Sequence, residues 1–472
     1  MSYEIRADYK QMYLLPPSLE EWIPEDHPAR YIRDFVESLD LEGMGFKEPE
    51  CENGRPAYST DLLLKVWLYG YYKKIRSSRG LEEACYDQVG LIWLTGMHYP
   101  DHNTIWRFWR ENKKTLRQVF KEVVMIAQRV GLIGFVLHAV DGSKIGSQAS
   151  NDSGWHLKDL REKLKGIEEA IERYMREVDS AKMEENREFR LPEDMKDQGE
   201  RRERIRDAIK ELEATGRAHM HPKDKDARMM KTERGIAFAY NAQAVVDAAG
   251  GIIVAEDVVN EENDGAMLVP MIEETERNVG RVAEETVADG GYYSAQQLAQ
   301  AQEREIEVVL PIKKQVYDDE NRKPFHKSRF EYNKTRDIFT CPMGKELTFE
   351  GIRRNRGKKY PARIYRCQSF EECRRRWECS REKCGRVIEM GPHEEAVARQ
   401  IQKQQDPHKR DLLKKRKAVI ELVFGQIKQN QGFRRFTVRG LESVRTQWSL
   451  VCSAFNLRKL YRYWCNGILA WA

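Results

Sequence analysis

The chain has 472 residues, of which 40% are hydrophobic and 33% are charged, and its net charge is only +5. This length predicts about two to four domains. No run approaches the ~18 apolar residues that a membrane span needs, and the N-terminal sequence lacks the apolar stretch of a secretory signal. We therefore expect a cytoplasmic protein that does not interact with a membrane, and nine cysteines in this length do not indicate a disulfide scaffold.

The first 130 residues predict a helical module. Apolar residues recur at helical spacing in residues 28–39 and 59–74. Near the end of the module, Arg107 and Arg110 lie in a run of aromatic and basic residues, 103–110. Short helices of this kind fit a helix-turn-helix-like module that docks on DNA. A plain helical bundle with an aromatic core explains the same run equally well.

A buried strand is predicted at residues 135–140, where an apolar run ends directly on Asp141. A highly charged segment follows, in which leucine and isoleucine recur every three or four residues over 157–178 and again over 205–212. We expect this segment, about 155–235, to form a helical hairpin that is inserted after the strand.

Strands and helices then alternate along the chain, and together they predict a mixed α/β sheet with helices packed against it. The predicted strands are 242–247, 252–259, 285–288 and 307–311, and the predicted helices are 266–278, 294–303 and 412–429. Asp289 directly follows the strand 285–288, and Glu421 lies on the last helix. A basic, cysteine-bearing segment at about 313–407 interrupts the pattern.

Basic residues are concentrated in two blocks of the C-terminal half. Residues 353–386 contain thirteen Lys and Arg against four Glu, and residues 401–436 contain ten against three acids. A single block of this kind is usually a solvated surface. Two blocks beside a set of acidic residues favour a phosphate backbone as the partner.

Three acids are candidates for metal-dependent phosphodiester chemistry, which needs a few carboxylates that converge on ions about 3.5–4 Å apart. Asp141 and Asp289 each follow an apolar strand and precede glycine, while Glu421 comes from a separate helix. An isolated Asp-Gly pair is usually only a turn. Two such pairs at strand ends, with a third acid on a late helix, point instead to a metal site.

The last predicted helix carries its charges on one face. At about 100° per residue, Lys414, Lys417, Glu421 and Lys428 fall within about 60° of one another. Such a face can hold phosphates beside the carboxylate. An ordinary surface helix with an ion pair between Lys417 and Glu421 would have a similar pattern.

On these residues the sequence resembles the insertion-sequence transposases of the DDE type, which have an RNase H-like catalytic domain. The stretches that carry the resemblance are residues 54–87, PDHNTIWRFWR, AVDGSKI, VADGGYYS and KKRKAVIELVFGQIKQNQGFRRF. The most specific is the last, because one branch of the family carries Tyr, two residues, Arg, three residues, Glu, six residues, Lys. Glu421 and Lys428 fit this spacing, whereas Lys417 replaces Arg, with Arg416 adjacent, and Lys414 replaces Tyr.

The resemblance implies that Asp141, Asp289 and Glu421 bind two Mg²⁺ or Mn²⁺ ions per active site. It also implies that Lys428, with Arg416 or Lys417, holds DNA phosphates. The expected activity is cut-and-paste transposition at terminal inverted repeats by a homodimer that brings two double-stranded DNA ends together, in a bacterial-type cell and at the nucleoid. The catalytic domain would span residues 131–464 and carry both insertions.

Further basic residues follow the catalytic helix. Arg434 and Arg435 come directly after it and are expected to contact backbone phosphates, although an exposed loop is the plain alternative.

A cluster of cysteines in the second insertion predicts zinc or free thiols with equal weight. Cys341 comes first, and Cys367, Cys373, Cys379 and Cys384 follow with five, five and four residues between them. This spacing is looser than that of the paired cysteines in zinc ribbons. The candidate zinc ligands are the last four cysteines of this cluster, Cys367, Cys373, Cys379 and Cys384.

Two other functions use the same residues. An RNase H-like nuclease would hydrolyse DNA without joining it, and strand-transfer products separate it from a transposase. A domesticated DNA-binding regulator without catalysis would usually have lost one of the three acids, all of which are present.

Overall fold

The computed structural model of the protein describes residues 18–47, 56–182, 193–311, 324–354, 360–382 and 385–467. The α-helices are α1 (Pro28–Glu37), α2 (Thr60–Tyr72), α3 (Ser78–Asp87), α4 (Val89–Leu94), α5 (His102–Glu111), α6 (Lys113–Arg129), α7 (Leu157–Lys182), α8 (Glu193–Thr215), α9 (Leu268–Val279), α10 (Ala295–Glu303), α11 (Arg376–Cys379), α12 (Glu394–Lys403), α13 (Pro407–Arg416), α14 (Leu422–Gly425) and α15 (Leu441–Cys465). Across these ranges, no helix has the length and apolar character needed to span a membrane.

The strands form two larger sheets and one short ribbon. They are β1 (Leu137–Gly146), β2 (Trp155–His156), β3 (His219–Met220), β4 (Arg228–Thr232), β5 (Gly235–Asp247), β6 (Ile253–Val259), β7 (Glu285–Val287), β8 (Val308–Val309), β9 (Glu331–Asn333), β10 (Ile338–Thr340), β11 (Glu346–Arg353), β12 (Ala362–Cys367) and β13 (Val387–Met390).

The main sheet has six strands and confirms the predicted mixed α/β fold. Its central order is β5-β1-β7-β8, and both β4 and β6 pair with β5 on its other side. The pairs β6-β5 and β5-β1 are antiparallel, whereas β1-β7 and β7-β8 are parallel. The carboxyl end of β7 therefore lies beside the middle of β1, and polar residues at the carboxyl ends of parallel strands often form active sites in α/β sheets.

Two features of this sheet differ from the sequence prediction. Strand β1 does not end at Asp141, because residues 141–146 continue to pair with residues 239–244 of β5. On its other edge, β1 pairs with β7 only as far as Ala139. Asp141 therefore lies within a strand but beside an edge that β7 leaves open. Strand β4, within the segment predicted as a helical insertion, pairs with β5 and belongs to the main sheet.

Helix α15 connects the sheet to the N-terminal helices, since it packs on β6, α6 and α2. The indole of its buried Trp448 donates a hydrogen bond of 3.0 Å to the carbonyl of Gln243 on β5. Asn456 exchanges two hydrogen bonds, of 3.0 and 2.8 Å, with the backbone of Ile253 on β6. A single hydrophobic core runs from α1 to α15, so the domain boundary at residue 130 stays a prediction.

Two substructures project from the main sheet. The first contains both helices of the predicted hairpin, α7 and α8, around a small core that includes Leu160, Ile205 and Leu212. The second is a five-stranded antiparallel sheet, β13-β12-β11-β10-β9, within the predicted cysteine-bearing insertion. The end of that insertion returns to the main sheet, because Gln400 on α12 donates a hydrogen bond of 3.0 Å to the carbonyl of Leu310.

Candidate active site

Asp141 and Asp289 come together where β1 and β7 run in parallel. Asp289 follows β7 and begins a 3₁₀ turn, Gly290–Tyr292, in which the backbone N–H of Gly291 donates to its Oδ1 over 2.8 Å. The Asp141 carboxylate accepts a hydrogen bond of 2.9 Å from the N–H of Gly142. These local hydrogen bonds fix both carboxylates at the open edge of the sheet.

Burial and charge act on Asp141 together. The pKa of Asp141 is raised to about 6, mainly by burial and also by the charge of Asp289, against the opposing charge of Arg416. Two carboxylates that share a site disfavour each other's ionised form, so a cation between them is stabilising. The pair has the electrostatics of a cation-binding site.

Glu421 is brought to the same place by an irregular helix. A π-helical turn, Lys417–Glu421, follows α13, and a second, Gln426–Asn430, follows α14. Arg416 bridges the helix and the strand: its Nη1 lies 3.2 Å from Asp141 Oδ2, and its Nη2 lies 3.9 Å from Glu421 Oε1. The Glu421 side chain is 56% exposed, so it faces the solvent side of the site.

The π-helical turn also determines which basic side chain lies at the site. In a regular α-helix, Lys417 would share a face with Glu421 at a spacing of four residues. A π-helix repeats at five residues, which brings Arg416 to the same side as Glu421. The Arg416 side chain is only 11% exposed, whereas Lys417 is exposed and Lys414 is ion-paired with Asp411 at 2.8 Å. The regular helix predicted for residues 412–429 was therefore wrong in its register.

Asp264 is a fourth carboxylate beside the site, and the sequence analysis missed it. It accepts hydrogen bonds from Lys144 Nζ (2.9 and 3.1 Å), Asn241 Nδ2 (2.6 Å) and Gln243 Nε2 (2.8 Å). The hydroxyl of buried Tyr292 in turn donates to Gln243 Oε1. This network ties β1, β5 and the turn after β7 together behind the two aspartates. The signal was present in the sequence, because Asp264 also precedes a glycine.

Gly142 follows Asp141 on β1 and lies against the network around Asp264. In the structure, a Cβ atom at this position would lie 2.3 Å from Gln243 Nε2 and 2.8 Å from Asp264 Oδ1. Glycine is therefore required by the supporting network, which has no room for a side chain on β1.

A cleft runs from the carboxylates toward the basic residues that were predicted to contact DNA. A cavity of about 400 Å³ is lined by Asp141, Glu421 and Lys428. An adjoining cavity of about 410 Å³ shares Lys428 with it and extends to Arg434 and Arg435. The cleft is thus acidic at one end and basic along the rest of its length. This distribution suits a polyanion such as a nucleic-acid backbone, which would pass over metal ions bound at the acidic end.

The basic residues of the cleft already have protein partners. Lys428 is ion-paired with Glu233, and Arg434 donates to the carbonyl of Lys428 over 3.2 Å. Arg435 donates to the carbonyls of Ser147 and Gln148, both at 2.7 Å, and so links the loop after the helix of Glu421 to the end of β1. Its DNA contact stays a prediction, as do those of Lys428 and Arg434.

The other predicted residues lie away from this cleft. Arg107 and Arg110 are exposed on α5, while Trp109 between them is buried in the core. Cys367, Cys373 and Cys379 belong to the small five-stranded sheet and its connections, and Cys384 lies outside the described residues. The DNA-binding role of α5 stays a prediction.

The donor set of the site suits a hard divalent ion, since its ligands are all carboxylate oxygens. In the described part of the chain, however, no three Asp, Glu, His or Cys side chains stand close enough to hold one ion together. The guanidinium of Arg416 contacts Asp141 and neighbours Glu421. Binding of metal ions therefore requires Arg416 to move away from Asp141.

Two family models match the chain: a transposase DDE domain over residues 340–461, and a transposase domain (DUF772) over residues 17–111. A comparison with curated proteins found no match. The first matched segment includes Glu421 and the cysteines of the small sheet, and the second includes Arg107 and Arg110, whereas Asp141 and Asp289 lie outside both. With the mixed sheet described above, these matches support an insertion-sequence DDE transposase, and the DDE domain implies an RNase H-like fold.

Proposed function

We propose that the protein performs cut-and-paste transposition: it hydrolyses DNA at both ends of an insertion sequence and joins the freed 3′-hydroxyls to a target. The observation that supports this most is the position of Asp141, which feels the charge of Asp289 and is linked to Glu421 through the guanidinium of Arg416. Three carboxylates from separate elements suffice for two-metal phosphodiester chemistry.

We propose two Mg²⁺ or Mn²⁺ ions per active site, held by Asp141, Asp289 and Glu421. Such ions lower the pKa of an attacking water and stabilise the leaving oxygen. Asp141 and Asp289 are fixed by backbone N–H groups and by the network around Asp264, so their positions are set before DNA arrives. Glu421, more exposed and on an irregular helix, is the ligand that adjusts.

The basic residues would orient the DNA. When the carboxylates bind cations, Arg416 is released from Asp141 and is free to hold the scissile phosphate with its paired N–H groups. Lys428 faces the same cavity, with Arg434 beside it in the adjoining one, and both are placed to hold the backbone further along the cleft. Each of these basic side chains must leave its present protein partner before it can bind a phosphate.

We propose the domain division that the sequence suggests: a DNA-binding or assembly domain at residues 1–130 and a catalytic domain at 131–464. The insertions are about 155–235 and 313–407, although β4 and α12, within them, contact the main sheet. Because two DNA ends must be cut in concert, the active species on DNA is a homodimer.

The test uses the purified full chain with Mg²⁺ and labelled DNA from both flanks of its own gene. We expect cleavage at two matched inverted ends, followed by joining to a target duplex. Cutting without joining would contradict this proposal and show instead an RNase H-like nuclease. Binding without cutting in Mg²⁺ or Mn²⁺ would leave only a DNA-binding regulator.

A further inference from the structure

Four cysteines from separate elements surround one small cavity beside the five-stranded sheet. Cys341 follows β10, Cys367 ends β12, Cys373 lies in the following turn, and Cys379 ends α11. All four line the same cavity of about 10 Å³, which has room for one small ion. Together they supply the donor number and the donor type of a structural zinc site.

Backbone N–H groups are directed at two of these sulfur atoms. Cys341 Sγ accepts N–H groups from Met343 (3.4 Å) and Lys345 (3.3 Å), in a tight turn closed by Gly344 at a φ of +74°. The Cys367 thiol accepts a hydrogen bond from the backbone N–H of Ser369. The thiolate is the form that binds metal, and donors directed at sulfur stabilise it. Cysteines that only fill a core need no such donors.

The five-stranded sheet has a small hydrophobic cluster of its own. The buried side chains of this cluster are Phe325, Phe330, Phe339, Leu347, Tyr365 and Ile388, and Ile338, Ala362, Ile364 and Phe370 nearby are buried as well. Units below about 70–80 residues usually add a disulfide or a metal to such a core. The described cysteines form no disulfide. The thiol cavity lies directly against this core, since Cys341, Cys367 and Cys379 pack on it.

We propose that Cys341, Cys367, Cys373 and Cys379 bind one Zn²⁺ tetrahedrally and that this ion holds the five-stranded sheet together. The structure adds the distant Cys341 to three of the ligands predicted from spacing, and the fourth, Cys384, lies outside the described residues. In the described ranges no three Asp, Glu, His or Cys side chains stand close enough to hold one ion. Binding of zinc therefore requires the four cysteine side chains to turn toward the cavity that they line.

The experiment measures zinc in the full chain, purified without chelator, by elemental mass spectrometry. We expect about one zinc per chain, and we expect Co²⁺ to replace it with the visible absorption of a tetrathiolate site. Cys341→Ser and Cys373→Ser should each reduce the bound zinc to near zero. Cys465→Ser, which changes an exposed cysteine of α15, is the matched control and should retain it.

A separate variant distinguishes the loss of a zinc ligand from misfolding of the protein. Cys341→His preserves a zinc ligand and should retain most of the metal that Cys341→Ser loses. Glu421→Gln should bind as much zinc as the wild type, which separates this ion from any at the carboxylates. Wild-type protein that carries no zinc and binds no Co²⁺ would overturn the proposal. Cys341→Ser that keeps its zinc would do the same, whatever the DNA assays show.

Discussion

Replacing Glu421 with glutamine should lower DNA cleavage by at least about a thousandfold, which corresponds to about 4 kcal/mol of transition-state stabilisation. Glutamine keeps the size of the side chain but removes the charge that a metal ligand needs. Cleavage of labelled end DNA in Mg²⁺ measures the effect. Binding of the same DNA should change little, since the side chain is 56% exposed and supports no core contact.

The matched control is Glu303→Gln, which neutralises an exposed acid on α10, away from the cleft. It should cleave at the wild-type rate. If Glu421→Gln also cleaves at that rate, Glu421 is not a metal ligand. Loss of cleavage in both variants would point to a general effect of charge rather than to the site.

Replacing Arg416 with methionine should reduce cleavage by about 10- to 100-fold, whereas Lys417→Met should change it by less than about threefold. The loss reflects one charged hydrogen bond, worth about 1.5–3 kcal/mol. Arg416 contacts Asp141 at 3.2 Å and is nearly buried, while Lys417 is exposed. Single-turnover cleavage rates of the two variants, measured side by side, test the register of the π-helical turn.

The comparison is well matched, because the two residues are adjacent and both variants remove one positive charge. A larger loss in Lys417→Met than in Arg416→Met would contradict the π-helical register and favour a regular α-helix. Equal losses would mean that the basic helix binds phosphate through its overall charge, with no privileged residue.

The main strands, their order along the chain and the place of Asp289 just after β7 could be predicted because they depend on local patterns. Short apolar runs that end on an acid identify strands near a site, and the chain order of strands and helices restricts the sheet. The extent of β1 could not be predicted in this way. Residues 141–146 alternate weakly in hydrophobicity and become a strand only because β5 pairs with them.

The remaining errors come from contacts between distant segments. The choice of Arg416 over Lys417 depends on a π-helical turn, which helical periodicity does not reveal. Asp264 gains its position from hydrogen bonds to β1 and β5. Cys341 joins the other cysteines because β10 and β12 lie on either side of β11 in one sheet. Sequence spacing alone contains none of this information.

The most direct test of metal ligation at the carboxylates is to change Asp289 to cysteine and measure cleavage in Mg²⁺ and in Mn²⁺. Thiolate is a poor ligand for the hard Mg²⁺ and a better one for the softer Mn²⁺. We predict that Asp289→Cys is inactive in Mg²⁺ and recovers cleavage in Mn²⁺, while Asp289→Ala stays inactive in both. Full activity of Asp289→Cys in Mg²⁺, or Mn²⁺ rescue of the alanine variant, would contradict direct binding of the metal by Asp289.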